Sequence, residues 1–137
     1  MIAKLLNLVG VGSPNVDLVL SKTNFHPGDT VTGAFHFRGG ISTQTVKRLE
    51  CDLMKKEPGE NPVWIQAVTT ILMARTMESG TREEYPFSFL IPDNIDCSNP
   101  ALTYELKTRL VFTNDKKTSD TDMIHIIPRH EKKTPSL

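Results

Sequence analysis

The clearest periodicity in the chain lies in Tyr85-Pro86-Phe87-Ser88-Phe89-Leu90-Ile91-Pro92. Phe87, Phe89 and Ile91 alternate with Ser88 and Leu90, so a strand here turns one apolar pleat toward a core. Pro86 fits only where no ladder N–H is required, and Pro92 stops the strand. An earlier segment has the same build. Pro27-Gly28-Asp29 makes a turn in which proline presets one dihedral and glycine relieves the next. Val31, Gly33, Phe35 and Phe37 then share one strand face, opposite Thr30, Thr32, Ala34 and His36.

Period-two alternation predicts further strands on either side of these two. Val16, Leu18 and Leu20 alternate with Asp17 and Ser21. Over 46–55, Leu49, Cys51 and Leu53 point inward while Arg48, Glu50 and Asp52 face water. Over 102–112, Leu102, Tyr104, Leu106, Leu110 and Phe112 oppose Glu105, Lys107 and Arg109, and 122–127 closes with Ile124 and Ile126 inward. Turn or loop signals separate them at 24–29, Gly39-Gly40, 58–62, 78–83, 92–100 and 114–120. About seven short strands at this spacing predict an all-β chain folded as an antiparallel sandwich. At the start, Ile2, Leu5, Leu6 and Val9 recur at helical spacing and Gly10 and Gly12 follow as stops. A short helix over 1–12 is therefore expected to cap a sandwich built from 15–128, followed by a polar tail over 129–137.

The segment 63–74 does not fit the half-buried pattern, because it is apolar on both faces. Trp64, Val68 and Leu72 fall on one face, and Val63, Ile65, Ala67, Ile71 and Met73 on the other. Only one face can meet the core. The N-terminal helix covers the second face, or part of the strand leaves the sheet, or that face docks a partner. On the last reading Trp64, Val68 and Leu72 are the partner-binding residues. An open edge on such a strand would also support a homodimer by edge pairing.

Composition narrows the function classes. At 137 residues the chain fits one domain with a sizeable core. Lys plus Arg and Asp plus Glu are both 16, so the surplus of positive charge that nucleic-acid binding needs is missing. No apolar run reaches the ~18 residues of a membrane-spanning helix, so no integral membrane segment is expected. Cys51 falls at an inward strand position and reads as a buried free thiol rather than half of a disulfide with Cys97. A cytoplasmic location follows as the expectation.

The turn and strand at Pro27-Gly28-Asp29-Thr30-Val31-Thr32-Gly33, together with Gly39-Gly40 and Pro86-Phe87-Ser88-Phe89 with Ile91-Pro92, occur in a fixed order. Val9-Gly10-Val11-Gly12-Ser13 with Val16-Asp17 precedes them, and the closing 120–128 segment comes after them. In this order they resemble the bacterial sporulation-control family of the stage-zero sporulation protein M type, specifically its N-terminal arrestin-like domain. The resemblance covers nearly the whole chain. It implies an arrestin-like β-sandwich of immunoglobulin-like architecture and a regulator of sporulation, or of a related stress or developmental response, that acts as an adaptor through protein contacts. It also implies two such domains in tandem, with 129–137 at the point where the second would begin.

Candidate chemistry is thin. Gly10-Val11-Gly12-Ser13-Pro14-Asn15 lacks the third glycine of a dinucleotide fingerprint and comes after a predicted helix where a strand is required. His26, His36, His125 and His130 are scattered, without the close spacing of zinc ligands. Asp115, Asp120 and Asp122 share one loop region but lack the alternating spacing and glycine turn of a calcium loop. Glu83 and Glu84 are adjacent in a turn, and since neighbouring strand residues point to opposite faces they are poorly placed for paired acid and base work. No catalytic, cofactor-binding or metal-binding residue is assigned, and the chain is read as a non-enzyme. The alternative class is a carbohydrate-type ligand-binding sandwich, for which one Trp and two Tyr supply few platform aromatics.

Overall fold

The computed structural model describes residues 14–41 and 43–129. The expected helix over 1–12 and the tail beyond 129 lie outside the described residues. Eight strands succeed one another: β1 (Asn15–Leu20), β2 (Asn24–Phe25), β3 (Thr30–Arg38), β4 (Gln44–Lys56), β5 (Val63–Met77), β6 (Arg82–Leu90), β7 (Thr103–Phe112) and β8 (Lys117–Ile126). They form a sandwich of a three-stranded sheet, in the order β1-β3-β6, and a five-stranded sheet, in the order β2-β8-β7-β4-β5. Every pairing is antiparallel except β2 with β8, which runs parallel. Among the described residues no helix is long and apolar enough to cross a membrane.

The core sits between the sheets and is built from the alternating positions that the sequence marks. Val31, Phe35 and Phe37 on β3 and Phe87 and Phe89 on β6 are buried against Leu49, Cys51 and Leu53 on β4. Tyr104, Leu106 and Leu110 on β7 and Ile124 and Ile126 on β8 complete it. Phe35 meets Phe87 edge to face at 5.1 Å between ring centroids, and Phe37 meets Tyr85 in the same manner at 5.0 Å. This is the arrangement favoured by the ring quadrupoles. Tyr104 is buried to its hydroxyl, which donates to the Asp96 carbonyl at 2.7 Å.

The predicted turn before β3 is present. Asp29 N–H donates to the His26 carbonyl at 3.0 Å, and Gly28 takes a φ of +84°. Proline followed by a left-handed glycine is the requirement of a type II turn. The Asp29 carboxylate closes the loop from its other side by accepting His26 N–H at 2.8 Å. That bond, aided by nearby positive charge including Arg129, holds its pKa below the usual carboxylate range.

Three expectations change. There are eight strands rather than about seven, because Asn24–Phe25 leaves the expected turn to pair with His125 and Ile126. β8 begins at Lys117, inside the expected 114–120 loop, since its backbone has β7 as a ladder partner whatever its side chains. Asp52 is 9% exposed rather than solvated, because Arg109 and Trp64 from the two neighbouring strands close over it. Cys51 and Cys97 are both free, and Cys51 is fully buried. Burial pushes its thiol up to about 11, against a hydrogen bond from Thr108.

Candidate functional site on the long edge strand

β5 is fifteen residues long and forms one edge of the five-stranded sheet, with β4 as its only ladder partner among the described residues. Three strands cannot roof five. The inward side chains of β5, Ile65, Val68, Ile71 and Met73, therefore pack against the core while staying only partly buried. Among the described residues a side-chain bracket ties this strand across to the other sheet: Arg75 contacts the Glu83 carboxylate and donates to the Tyr85 hydroxyl at 3.2 Å.

The three residues predicted as one face, Trp64, Val68 and Leu72, do not share one. Trp64 is 57% exposed and Leu72 is 80% exposed, whereas Val68 packs against the core. The cause is irregular pairing with β4. Register slips at Cys51/Asp52 and Leu53/Met54 leave Val68 and Ile65 as extra residues on β5. Each slip inverts the in–out parity of the residues beyond it, so Ala67 turns outward. A third slip, at Val46/Arg48, sets Met73 and Ala74 against Lys47, and Ala74 takes a φ of +46°. Alternation counted along the sequence contains no sign of these extra residues.

The outward face beside β5 carries a charged lattice. Arg48 Nε lies 2.6 Å from Glu50, and Arg109 on β7 reaches both Glu50, at 3.0 Å, and Asp52, at 2.6 Å. The Trp64 indole N–H donates to the other Asp52 oxygen at 3.2 Å, so the ring shields this carboxylate from water. The Arg48 hydrogen bond outweighs desolvation and, with Arg109, holds the Glu50 carboxyl below its usual range. At Arg109 burial disfavours the charge, but the bonds to Asp52 and Glu50 outweigh it and keep the guanidinium protonated. Alternation places these residues on one face, but only the register of β4 with β7 and β5 joins them. Leu72, opposite Arg48 in the ladder, extends the surface with an exposed apolar side chain.

The remaining candidates disperse. His36 lies on β3 against Glu84 at 3.1 Å, His125 on β8 of the other sheet, and His26 beside the Ile127 carbonyl at 3.2 Å. His130 lies outside the described residues. Asp115 leaves its expected companions for Lys47, 3.5 Å away. Asp120 and Asp122 are joined instead by Asp17 from β1, with carboxylate oxygens of all three within 4.8 Å of one another. Asp120 accepts Leu18 N–H at 2.9 Å, linking the two sheets. One Asp122 oxygen is buried without a partner. Desolvation first, then the neighbouring Asp120 and Asp17, push its carboxyl up to about 7. The contribution of Asp17 had no signal in the sequence, since about a hundred residues separate it from the other two.

Comparison with known proteins places this architecture. The family model described as SpoOM protein matches residues 2–134. The sporulation-control protein spo0M of Bacillus subtilis (strain 168) is 24% identical over 129 residues, covering 90% of this chain and 50% of that protein. The crystal structure of Spo0M from Bacillus subtilis superposes with a TM-score of 0.69 at 21% identity, over 88% of this chain and 51% of the other. A Niemann-Pick type C2 protein from the Japanese carpenter ant shares the fold at a TM-score of 0.60 and 13% identity, covering 87% of this chain and 95% of that one. The chain thus spans about half the length of the sporulation-control relative it matches. With the family model matched along nearly its whole length, the chain belongs to the SpoOM protein family.

Proposed function

We propose that the chain is a non-enzymatic, cytoplasmic regulatory adaptor in the control of sporulation or a related bacterial response, acting through protein contacts along β5. The observation that carries this reading is the character of that edge. Natural sheets blunt exposed edges with charge, proline or brevity. β5 runs for fifteen residues with Arg75 as its one charged side chain and no proline, and Arg75 is engaged with Glu83. Trp64 and Leu72 stand exposed beside it, the kind of apolar anchors that dominate protein interfaces. Kinship with a protein named for sporulation control supports the cellular role. The same edge would serve to pair two copies of the chain. The carbohydrate-type alternative gains less support, because among the described residues Trp64 is the one exposed large aromatic, where a sugar platform needs a row.

The test is an affinity pull-down from lysate of the source bacterium with the parent and a Trp64→Ser/Leu72→Ser variant, read by mass spectrometry. Both side chains are largely exposed, so the variant is expected to fold, at a cost of about 1 kcal/mol for the lost bond to Asp52. A partner held by the parent and lost by the folded variant supports the reading. Equal capture by both would remove this surface from it.

A further inference from the structure

On the outward face of the three-stranded sheet, two arginines stand directly opposite each other. Arg38, the last residue of β3, pairs in register with Arg82, the first residue of β6. The next row on the same face pairs His36 with Glu84. Like charges directly opposite on adjacent strands repel, and a sheet ordinarily avoids or compensates them. Here the described residues supply no ion pair to offset it, although Glu83 and Glu84 line the same notch. Neither Arg38 nor Arg82 has a carboxylate partner, while the nearby acids are committed elsewhere, Glu84 to His36 at 3.1 Å and Glu83 to Arg75. On its other side Arg38 faces Asn15 of β1, which is neutral.

The backbone holds the pair in place. One residue beyond Arg38, Gly39 N–H donates to the Thr81 carbonyl at 2.8 Å, and Thr81 N–H donates to the Glu78 carbonyl at 3.1 Å. A Cβ on Gly39 would lie 2.0 Å from the Glu78 oxygen, so only glycine allows the strand ends to close this tightly. His36, Phe37, Arg38, Arg82, Glu83 and Glu84 line a surface notch of about 290 Å³ at this point.

We infer that this notch binds a phosphate monoester or inorganic phosphate dianion between the guanidinium groups of Arg38 and Arg82. The charge and shape of the ligand follow from the pair. Two fixed monocations are neutralised by a dianion, and each planar guanidinium offers a fork of donors. A carboxylate has two oxygens and is satisfied by one arginine, whereas a phosphoryl group has three and can accept from both. His36, held by Glu84, lines the rim of the same notch. This inference is independent of the role proposed for β5.

The experiment titrates isotope-labelled protein with sodium phosphate at about pH 8, where the second phosphate proton is lost. Sodium chloride at equal ionic strength is the reference, and arginine Nε–H resonances are followed by NMR. Saturable shifts confined to Arg38 and Arg82, with the paired Arg48 and Arg109 unmoved, are expected. Arg38→Gln and Arg82→Gln should each weaken binding about tenfold or more, as loss of a charge-assisted contact does. A phosphoserine peptide and its unphosphorylated counterpart form a second arm. Tighter binding of the phosphopeptide than of free phosphate identifies a modified side chain as the source, and the reverse identifies a small phosphate. Thermal melts give an independent reading. The parent should gain stability from phosphate over chloride, and Arg82→Gln should melt no lower than the parent in chloride and gain nothing from phosphate. Shifts shared by all arginines, undiminished binding by Arg82→Gln, or failure of that variant to fold would each overturn the inference.

Discussion

Asp122 makes the stability of this sandwich depend on pH in an unusual direction. Its carboxyl moves from an ordinary 3.8 to about 7 because it is desolvated beside Asp120 and Asp17. A carboxyl raised on folding holds its proton more tightly in the native state. The stability linked to that proton is complete below the unfolded value and is lost as pH rises through about 7. The shift of about three units would amount to about 4 kcal/mol if the site were dry. Asp122 is only partly buried and Asp17 is exposed, so solvent screening brings the expected effect to roughly 1–2 kcal/mol. The perturbation is Asp122→Asn, which keeps the shape, removes the charge and supplies an amide donor to the neighbouring carboxylates. Urea unfolding of parent and variant, measured every half unit from pH 5 to pH 8.5, checks it. The parent should lose stability on the alkaline side relative to the variant, and the gap should level off near pH 8. Comparing the two cancels every pH-dependent contribution that both proteins share. A gap that stays constant across the range, or an Asp122→Asn variant that becomes less stable than the parent as pH rises, would refute the reasoning.

Packing supports two more predictions. Phe87→Ala and Phe89→Ala should each cost about 3–5 kcal/mol in urea unfolding, since the two rings are only 4% and 7% exposed and a cavity would replace each one; parent-like unfolding would place these side chains outside the core. Cys97, half-buried, should react with a maleimide or a disulfide reagent in the native protein. Cys51, buried and with its thiol pushed up to about 11, should react only at the rate of global unfolding, and prompt labelling of two thiols would contradict its placement.

The architecture was legible because its signals are local. Strict alternation in Phe87-Ser88-Phe89 and in 102–112 already states which side chains face the core, since the pleat allows only two directions. Pro27-Gly28 names its own turn, because fixed φ followed by positive φ suits few backbones. Collinear motifs of this kind also make the family recognisable from the chain alone. Along β5 the same counting failed at Val68, because extra residues at irregular pairings reverse the parity and are set by how β4 and β5 fit together rather than by either strand alone. Asp52 failed similarly. Its position on the polar face was legible, but its burial depends on Arg109, which comes from β7, and on Trp64, which comes from β5.

Sequence alone thus set seven of the eight strands, the inward faces of those with regular pairing and the turn before β3, each governed by interactions over a few residues. Tertiary structure decided which strands became edges and which charges became neighbours. Strand order puts β5 at an edge of the five-stranded sheet among the described residues, register sets Arg38 against Arg82, and the packing of the two sheets brings Asp17 to Asp120 and Asp122. These juxtapositions join residues tens to about a hundred positions apart. They arise because closing a sandwich optimises the buried apolar face and the backbone ladders together, and the polar side chains go wherever that closure carries them.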